Sequence, residues 1–199
     1  MTIDPLVTER LILRHPLDAA DGTVLRQAGT EALALEFTRI FADPEESRYM
    51  HFVPYPYSRK DADGFVNFLE QRADYPGQVE LGLYLKSEPE RVVGMVSLES
   101  IDDSARSAEL GYWLRRESWG LGLMSEAASA LVAWGFRTLE LQRLEAWVSG
   151  GNERSLGTLR GLGFRDEGVL RRAAMVKGVL RDRIVLGLLR EEWEAKAQA

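Results

Sequence analysis

The stretch Ala108-Glu-Leu-Gly-Tyr-Trp-Leu-Arg-Arg-Glu-Ser-Trp-Gly120-Leu-Gly122-Leu-Met-Ser125-Glu-Ala127 joins a strand, a glycine turn and the start of a helix. Leu110, Tyr112 and Leu114 alternate with Glu109, Gly111 and Trp113, the period of two expected of a strand with two different faces. From Leu123 the period turns helical. Met124, Ala127, Ala128, Leu131 and Gly135 fall on one stripe of a helix running to about Thr138. A junction of this kind offers unpaired N–H groups and the positive end of a helix, which suits an anion. It is not a dinucleotide fingerprint, because Ser125 stands where a third glycine belongs. Nor is it a Walker loop, because no Gly-Lys-Ser/Thr follows.

Working outward, Leu81–Leu85 and Arg91–Ile101 read as strands before this segment, and Leu11–Arg14 as a short opening strand. A helical region is expected between that opening strand and about Leu35. Then comes an aromatic stretch, Phe41–Tyr57, whose Pro54 and Pro56 forbid a regular helix. Ser58-Arg-Lys-Asp61 resembles a variant capping box, opening a helix that buries Phe65, Phe68 or Leu69 and ends near Arg72. After the central helix, Arg143–Val148 reads as a strand with Leu144, Ala146 and Val148 facing together. Asn152–Leu162 reads as a short helix stopped by Gly163. Gly168–Val176 and Leu180–Leu189 flank Lys177-Gly178 as a closing hairpin. Arg171, Arg172, Arg181 and Arg183 read as its solvated basic face. The order implies an α/β (α+β) fold: one mixed sheet of about seven strands with helices on both faces, in a single domain spanning 1–199.

Composition narrows the chemistry. Of 199 residues, 45% are hydrophobic and 28% charged, as in an ordinary globular protein. The absence of cysteine excludes disulfides, thiolate zinc, iron–sulfur clusters and a cysteine nucleophile. With two histidines far apart, His15 and His51, no metal is expected. A net charge of −6 argues against a nucleic-acid partner. The N-terminal residues lack a signal peptide's basic and apolar regions, and the least polar stretch, Ala127–Phe136, is too short to span a bilayer. The chain therefore reads as cytoplasmic, with no membrane partner.

The segment Ala108–Leu114, the Gly120-x-Gly122 loop, and Asn152-Glu-Arg-Ser155 ahead of Gly161-Leu-Gly-Phe164 share an order and spacing with one family. In these motifs the sequence resembles the GNAT superfamily of N-acetyltransferases, and its RimJ/RimL-like branch, which acetylates protein N-termini. Thr8–Arg14 looks like that branch's opening strand and Glu167–Arg171 like its late strand. The resemblance covers nearly the whole chain, with 15–60 least typical, and it implies a mostly antiparallel GNAT sheet. Two departures stand out: Glu117 where the family usually has Gln or Arg, and Gly150-Gly151 where Asp-Pro is common.

The resemblance implies acetyl-CoA as co-substrate. Trp113 and Leu114 would offer backbone groups to its pantetheine arm. The amides of Trp119, Gly120, Leu121, Gly122, Leu123 and Met124 would hold the pyrophosphate, with the Ser125 hydroxyl assisting. Asn152 would hydrogen-bond the pantetheine, and Ser155 would lie near the sulfur and protonate the departing thiolate. Glu109 matches the position of the general base, and a strand-end N–H at Trp113 or Tyr112 would meet the carbonyl oxygen. Each residue also has a plainer role: Asn152 is a good N-cap, Ser155 a helix residue, and a strand glutamate such as Glu109 commonly pairs with arginine.

Within 41–57, Phe52, Tyr55 and Tyr57 are the candidate acceptor-binding residues, although aromatics at this density commonly pack a core. Three functions stay open at this level. They are acetylation of a protein or peptide N-terminal α-amine of ribosomal-protein type, acetylation of a small amine such as a polyamine, amino sugar or antibiotic, and sensing of acyl-CoA without turnover. A second copy of the chain is a further candidate partner.

Overall fold

The computed structural model describes residues 3–19, 22 and 27–198, without the side chains of Gln27, Ala28 and Ala197. Two short strands open it, β1 (Leu6–Val7) and β2 (Leu11–Arg14), followed by helices α1 (Gln27–Phe41) and α2 (Arg59–Arg72). Strands β3 (Val79–Leu85), β4 (Glu88–Asp102) and β5 (Ser107–Leu114) lead through a 3-10 turn into α3 (Leu123–Thr138). Then come β6 (Arg143–Ser149), α4 (Glu153–Leu162), the hairpin β7 (Arg165–Val176) and β8 (Val179–Leu189), and α5 (Arg190–Ala197). The strands form one eight-stranded sheet in the order β1-β2-β3-β4-β5-β6-β8-β7. Every neighbouring pair is antiparallel except β5 and β6.

The alternation along the strands divides the core in two. One face of the sheet packs Leu98, Leu110, Leu144 and Leu186 against Leu131 and Phe136 of α3 and Leu159 of α4. The other packs Met95 and Tyr84 against Phe37 and Phe41 of α1 and Val66 and Leu69 of α2. Helices therefore cover both faces. α2 starts on the expected capping box, in which the Asp61 carboxylate accepts the Ser58 N–H at 2.8 Å. α4 ends in a Schellman turn: Gly163 at φ +108 donates to the Arg160 carbonyl, and Phe164 to that of Leu159.

The structure departs from the expectations in several places. The sheet has eight strands, not seven, because the two-residue β1 is too short to show a period. The first helix runs to Phe41 instead of Leu35, since Leu33, Phe37, Ile40 and Phe41 continue its buried stripe. Residues 16–17 of the expected helical region form a turn, while 20, 21 and 23–26 lie outside the described residues. Of Phe65, Phe68 and Leu69, the residue that α2 fully buries is Leu69, while Phe68 is partly exposed with the Arg72 guanidinium 4.9 Å from its ring. The closing helix α5 was not foreseen, because its sequence is charged apart from one anchor, Trp193, stacked on Phe136 at 5.2 Å. The basic hairpin is also not uniformly solvated. Arg171 and Arg172 are exposed, but Arg181 and Arg183 are half-buried against Tyr49 and Trp147. Among the described residues, no helix is long and apolar enough to cross a membrane.

Candidate active site

The parallel pair β5–β6 is joined only at Ser107↔Arg143, Ala108↔Leu144 and Glu109↔Glu145. Beyond Glu109 the strands diverge, although β5 continues to Leu114 and β6 to Ser149. Backbone groups of β5 on that side are thus left without a strand partner. Arg115 donates to the Val93 carbonyl of β4, so by alternation the Trp113 N–H also points to β4. Tyr112 and Leu114 direct their N–H and C=O groups into the wedge, where the Leu114 carbonyl accepts the Trp119 indole N–H at 2.7 Å. The strand-end donors facing the wedge are therefore those of Tyr112 and Leu114, and not that of Trp113.

At one end of the wedge lies the glycine loop. Gly120 and Gly122 have φ of +76 and +74, the left-handed region that other residues enter only under strain. Gly122 is the N-cap of α3, so Leu123, Met124 and Ser125 present N–H groups without intrahelical partners. The Trp119 amide is already spent on the Arg116 carbonyl, so the free run starts at Gly120. The loop is braced by the residue just before β2: Arg10 donates to the Leu121 carbonyl at 2.8 Å and to Glu126, in the first turn of α3, at 2.7 Å. Burial alone would raise the Glu126 carboxyl, but the hydrogen bonds from Thr8 and Arg10 outweigh it and hold it below its ordinary value. A cavity of about 480 Å³ opens here, lined by Trp119, Gly120, Gly122, Met124 and Ser125. Leu121 is exposed and Leu123 is buried in the core, so these two offer backbone only.

A second cavity, of about 500 Å³, shares Tyr112, Trp113, Asn152 and Ser155 with the first, so the two adjoin at the wedge. Asn152 caps α4 by accepting the Ser155 N–H at 3.4 Å while lining both cavities. The Ser155 Oγ lies 2.9 Å from the Tyr112 hydroxyl. Burial pushes the Tyr112 phenol up to about 12, so it stays a proton donor. Across the wedge, Glu109 lines the second cavity. Burial raises its carboxyl above the ordinary range, and the neighbouring Glu99 charge adds to the rise, while a hydrogen bond from Trp147 opposes it. Trp147 is itself held between the Arg183 guanidinium, 3.9 Å from its ring centre, and His51 at 4.8 Å.

Of the candidate acceptor residues, the structure brings only Phe52 to this cavity. Tyr55 is 58% exposed and does not line it. Tyr57 packs edge-on against Phe41 at 5.1 Å, on the rim of the second core cluster. Sequence reasoning missed Tyr112 as a side chain, along with Trp147 and Glu80, all of which line the cavity, as does Glu99. The alternation of 108–114 placed Tyr112 on the core face, which is where it lies, but its hydroxyl reaches Ser155 at the edge of that face. Among the described residues no group of three or more His, Asp or Glu is placed to hold a metal ion.

A sheet split beside an anion-ready helix start is a place for an extended ligand with an anionic end. Residues 10–165 match the family described as Acetyltransferase (GNAT) domain, and the chain belongs to that family. Its enzymes are N-acetyltransferases and use acetyl-CoA. The uncharacterized N-acetyltransferase p20 of Bacillus licheniformis is 33% identical over 193 residues, 96% of this chain and 99% of its own. The ribosomal protein uS5 alanine N-acetyltransferase of Escherichia coli (strain K12) is 27% identical over 189 residues, 94% of this chain and 92% of its own. Among solved structures, Mycobacterium smegmatis RimJ in complex with CoA-disulfide matches with a TM-score of 0.76 over 96% of this chain and 88% of that one. Its identity of 22% makes this a likeness of fold.

Proposed function

We propose that this protein transfers the acetyl group of acetyl-CoA directly to a primary amine, and that the acceptor is a protein or peptide N-terminal α-amine. The observation that carries this reading is the placement of Glu109, with a raised carboxyl, in the same cavity as the Tyr112–Ser155 pair. The relative named for ribosomal protein uS5 alanine supports the acceptor class. We also infer that 1–199 form one domain and that it works in the cytoplasm.

When bound, acetyl-CoA supplies the acetyl group as a thioester. The free amides from Gly120 to Ser125 suit its pyrophosphate, and the wedge groups of Tyr112 and Leu114, with the Asn152 amide, suit its pantetheine arm. Glu109 accepts a proton from the acceptor ammonium, directly or through water, leaving the neutral amine that alone can attack. An α-amine is about 10–15% neutral at pH 7, a lysine amine about 0.04%. A single carboxylate of modestly raised basicity therefore suits the α-amine, since lysine would need about 3 kcal/mol more. The Tyr112 N–H is placed to stabilise negative charge on the carbonyl oxygen, and the Ser155 hydroxyl to protonate the sulfur that leaves.

Thiol release from acetyl-CoA, followed with N-terminal peptides, an N-blocked lysine peptide and small amines, tests the reading. Free N-terminal peptides should give the highest kcat/KM. Turnover confined to the blocked lysine peptide or to small amines overturns the acceptor assignment.

A further inference from the structure

The acceptor cavity holds more carboxyl groups than the chemistry above requires. Three carboxylates line it, Glu80, Glu99 and Glu109, and no lysine or arginine does. The sheet register sets their arrangement. Glu99 of β4 pairs with Glu109 of β5, and Glu80 of β3 pairs with Ser97, two residues along β4 from Glu99. With strands about 4.8 Å apart and about 3.4 Å per residue, Glu80 and Glu109 are roughly 12 Å apart along the backbone surface. All three side chains leave the same face of the sheet. Glu99 is fixed by a 2.8 Å hydrogen bond from the Ser97 hydroxyl, and it leans over Gly111, where a Cβ would come within 2.9 Å of its Oε1.

Glu80 makes no hydrogen bond or ion pair among the described residues. Arg72 is the cation whose charge it feels, but Arg72 donates to Gln78 at 2.8 Å and stacks over Phe68 and Tyr75. Burial pushes the Glu80 carboxyl up to about 8, with the Glu99 charge adding to the rise. His51, also on the wall, is lowered by burial and by Arg183 and brings no positive charge near neutral pH. The remaining wall is aromatic: Phe52, Phe65, Phe68, Trp113 and Trp147. Carboxylates set among aromatic faces are the surroundings that bind an organic cation.

We propose that the acceptor carries a second cationic group besides the amine that is acetylated, and that Glu80 and Glu99 bind that second charge. The inference rests on the acetyltransferase reading of the wedge and deepens it. The reacting amine becomes neutral when Glu109 takes its proton, so it cannot neutralise the other two carboxylates. A cation one lysine side chain away from the reacting nitrogen can. The shared chemistry is a primary amine joined by a linker of side-chain or dipeptide length to a second ammonium or guanidinium. It has two sources: a free diamine, or a peptide N-terminus followed by a basic side chain.

Calorimetric titration of the CoA-saturated protein with four probes tests this. The probes are 1,4-diaminobutane against butylamine, and a tripeptide with lysine at its second position against its norleucine counterpart. At least one dication should bind tenfold or more tighter than its partner that lacks the second charge. In Glu80→Gln that advantage should fall below threefold while CoA affinity is unchanged, and Glu99→Gln should behave likewise. Equal affinity within both pairs, no binding of any probe, or discrimination that survives both substitutions overturns the proposal. The sources separate on acetylation with acetyl-CoA. Preference for the lysine tripeptide supports both readings. Binding and turnover of the diamine alone keep the second-charge site and overturn the α-amine acceptor. Equal turnover of the lysine and norleucine tripeptides, with equal binding, keeps the α-amine acceptor and removes this site.

Discussion

The Tyr112 hydroxyl stands 2.9 Å from the Ser155 Oγ and 3.1 Å from the Ser155 carbonyl oxygen, tying the diverging end of β5 to the first turn of α4. The carbonyl can only accept, so the Tyr112 proton goes there or to Oγ, and the two hydroxyls act as one unit. Ser155→Ala and Tyr112→Phe should each lower kcat several-fold with little change in the KM for acetyl-CoA. The double variant should lose little more than either single one, the coupling expected of directly bonded partners. Losses that multiply in a double-mutant cycle would assign the two residues separate roles.

Glu109→Gln keeps the size and the hydrogen-bonding capacity toward Trp147 but removes the base. A fall in kcat/KM of about 10²-fold or more is expected, the usual scale of general-base assistance. Raising the pH from 7 to 9 should recover part of the loss, because more of the acceptor is then already neutral. Ser155→Ala should show no such recovery. Wild-type activity of Glu109→Gln across pH 6–9 would transfer the base role to Glu99 or to water.

What the sequence reveals of this site is what is local. The period of two through 108–114, the two glycines at left-handed φ, and the Asn152 cap each arise from residues close in the chain, and each appears in place. The wedge is a different kind of feature. It exists because hydrogen bonding between β5 and β6 stops at Glu109↔Glu145, and residues that far apart carry no local mark of where pairing ends. Glu80 and Glu99 were invisible as a pair for the same reason, since only the β3–β4–β5 register sets them beside Glu109. The aromatic loop illustrates the limit of composition. Phe52, Tyr55 and Tyr57 look alike in sequence, yet one faces the cavity, one faces solvent and one packs on Phe41.

Gly122→Val tests the anion loop. A Cβ at Gly122 meets only an Arg10 nitrogen at 3.5 Å, so the protein has room for it. The cost is conformational: a β-branched residue at φ +74 is strained, and relief rotates the very amides that open α3. CoA affinity should fall at least tenfold by calorimetry in a variant whose circular dichroism is unchanged. Full affinity in that folded variant would remove the loop from the site.

The two exposed aromatics should separate kinetically. Phe52→Ala, which strips a cavity wall, should raise the KM for the acceptor and leave that for acetyl-CoA nearly constant. Tyr55→Ala should change neither, because Tyr55 lies outside the cavity. A larger effect from Tyr55 than from Phe52 would mean that the acceptor runs over the loop instead of into the cavity.

The Glu80 carboxyl leaves a signature in stability as well. Its ordinary value is 4.5 and burial raises it to about 8, so the folded chain holds a proton that the unfolded chain has released across that interval. With more protons bound in the native state, stability falls as pH rises. The contribution is fully present below about 4.5 and is lost as pH climbs through about 8. Glu80→Gln has no such proton to lose. Its melting temperature should therefore rise relative to wild type as the pH is taken from 5 to 8.5. A difference of about 1 kcal/mol shifts the midpoint by roughly 2–4 °C in a chain of this size, so the gap should widen by several degrees. Melting curves collected at five pH values in both proteins give the answer. Two parallel lines would mean that Glu80 ionises in the folded protein as it does in water. The gap should narrow when 1,4-diaminobutane is added to wild type at pH 8.5, because a bound cation pairs with the buried ionised carboxylate and stabilises the folded state.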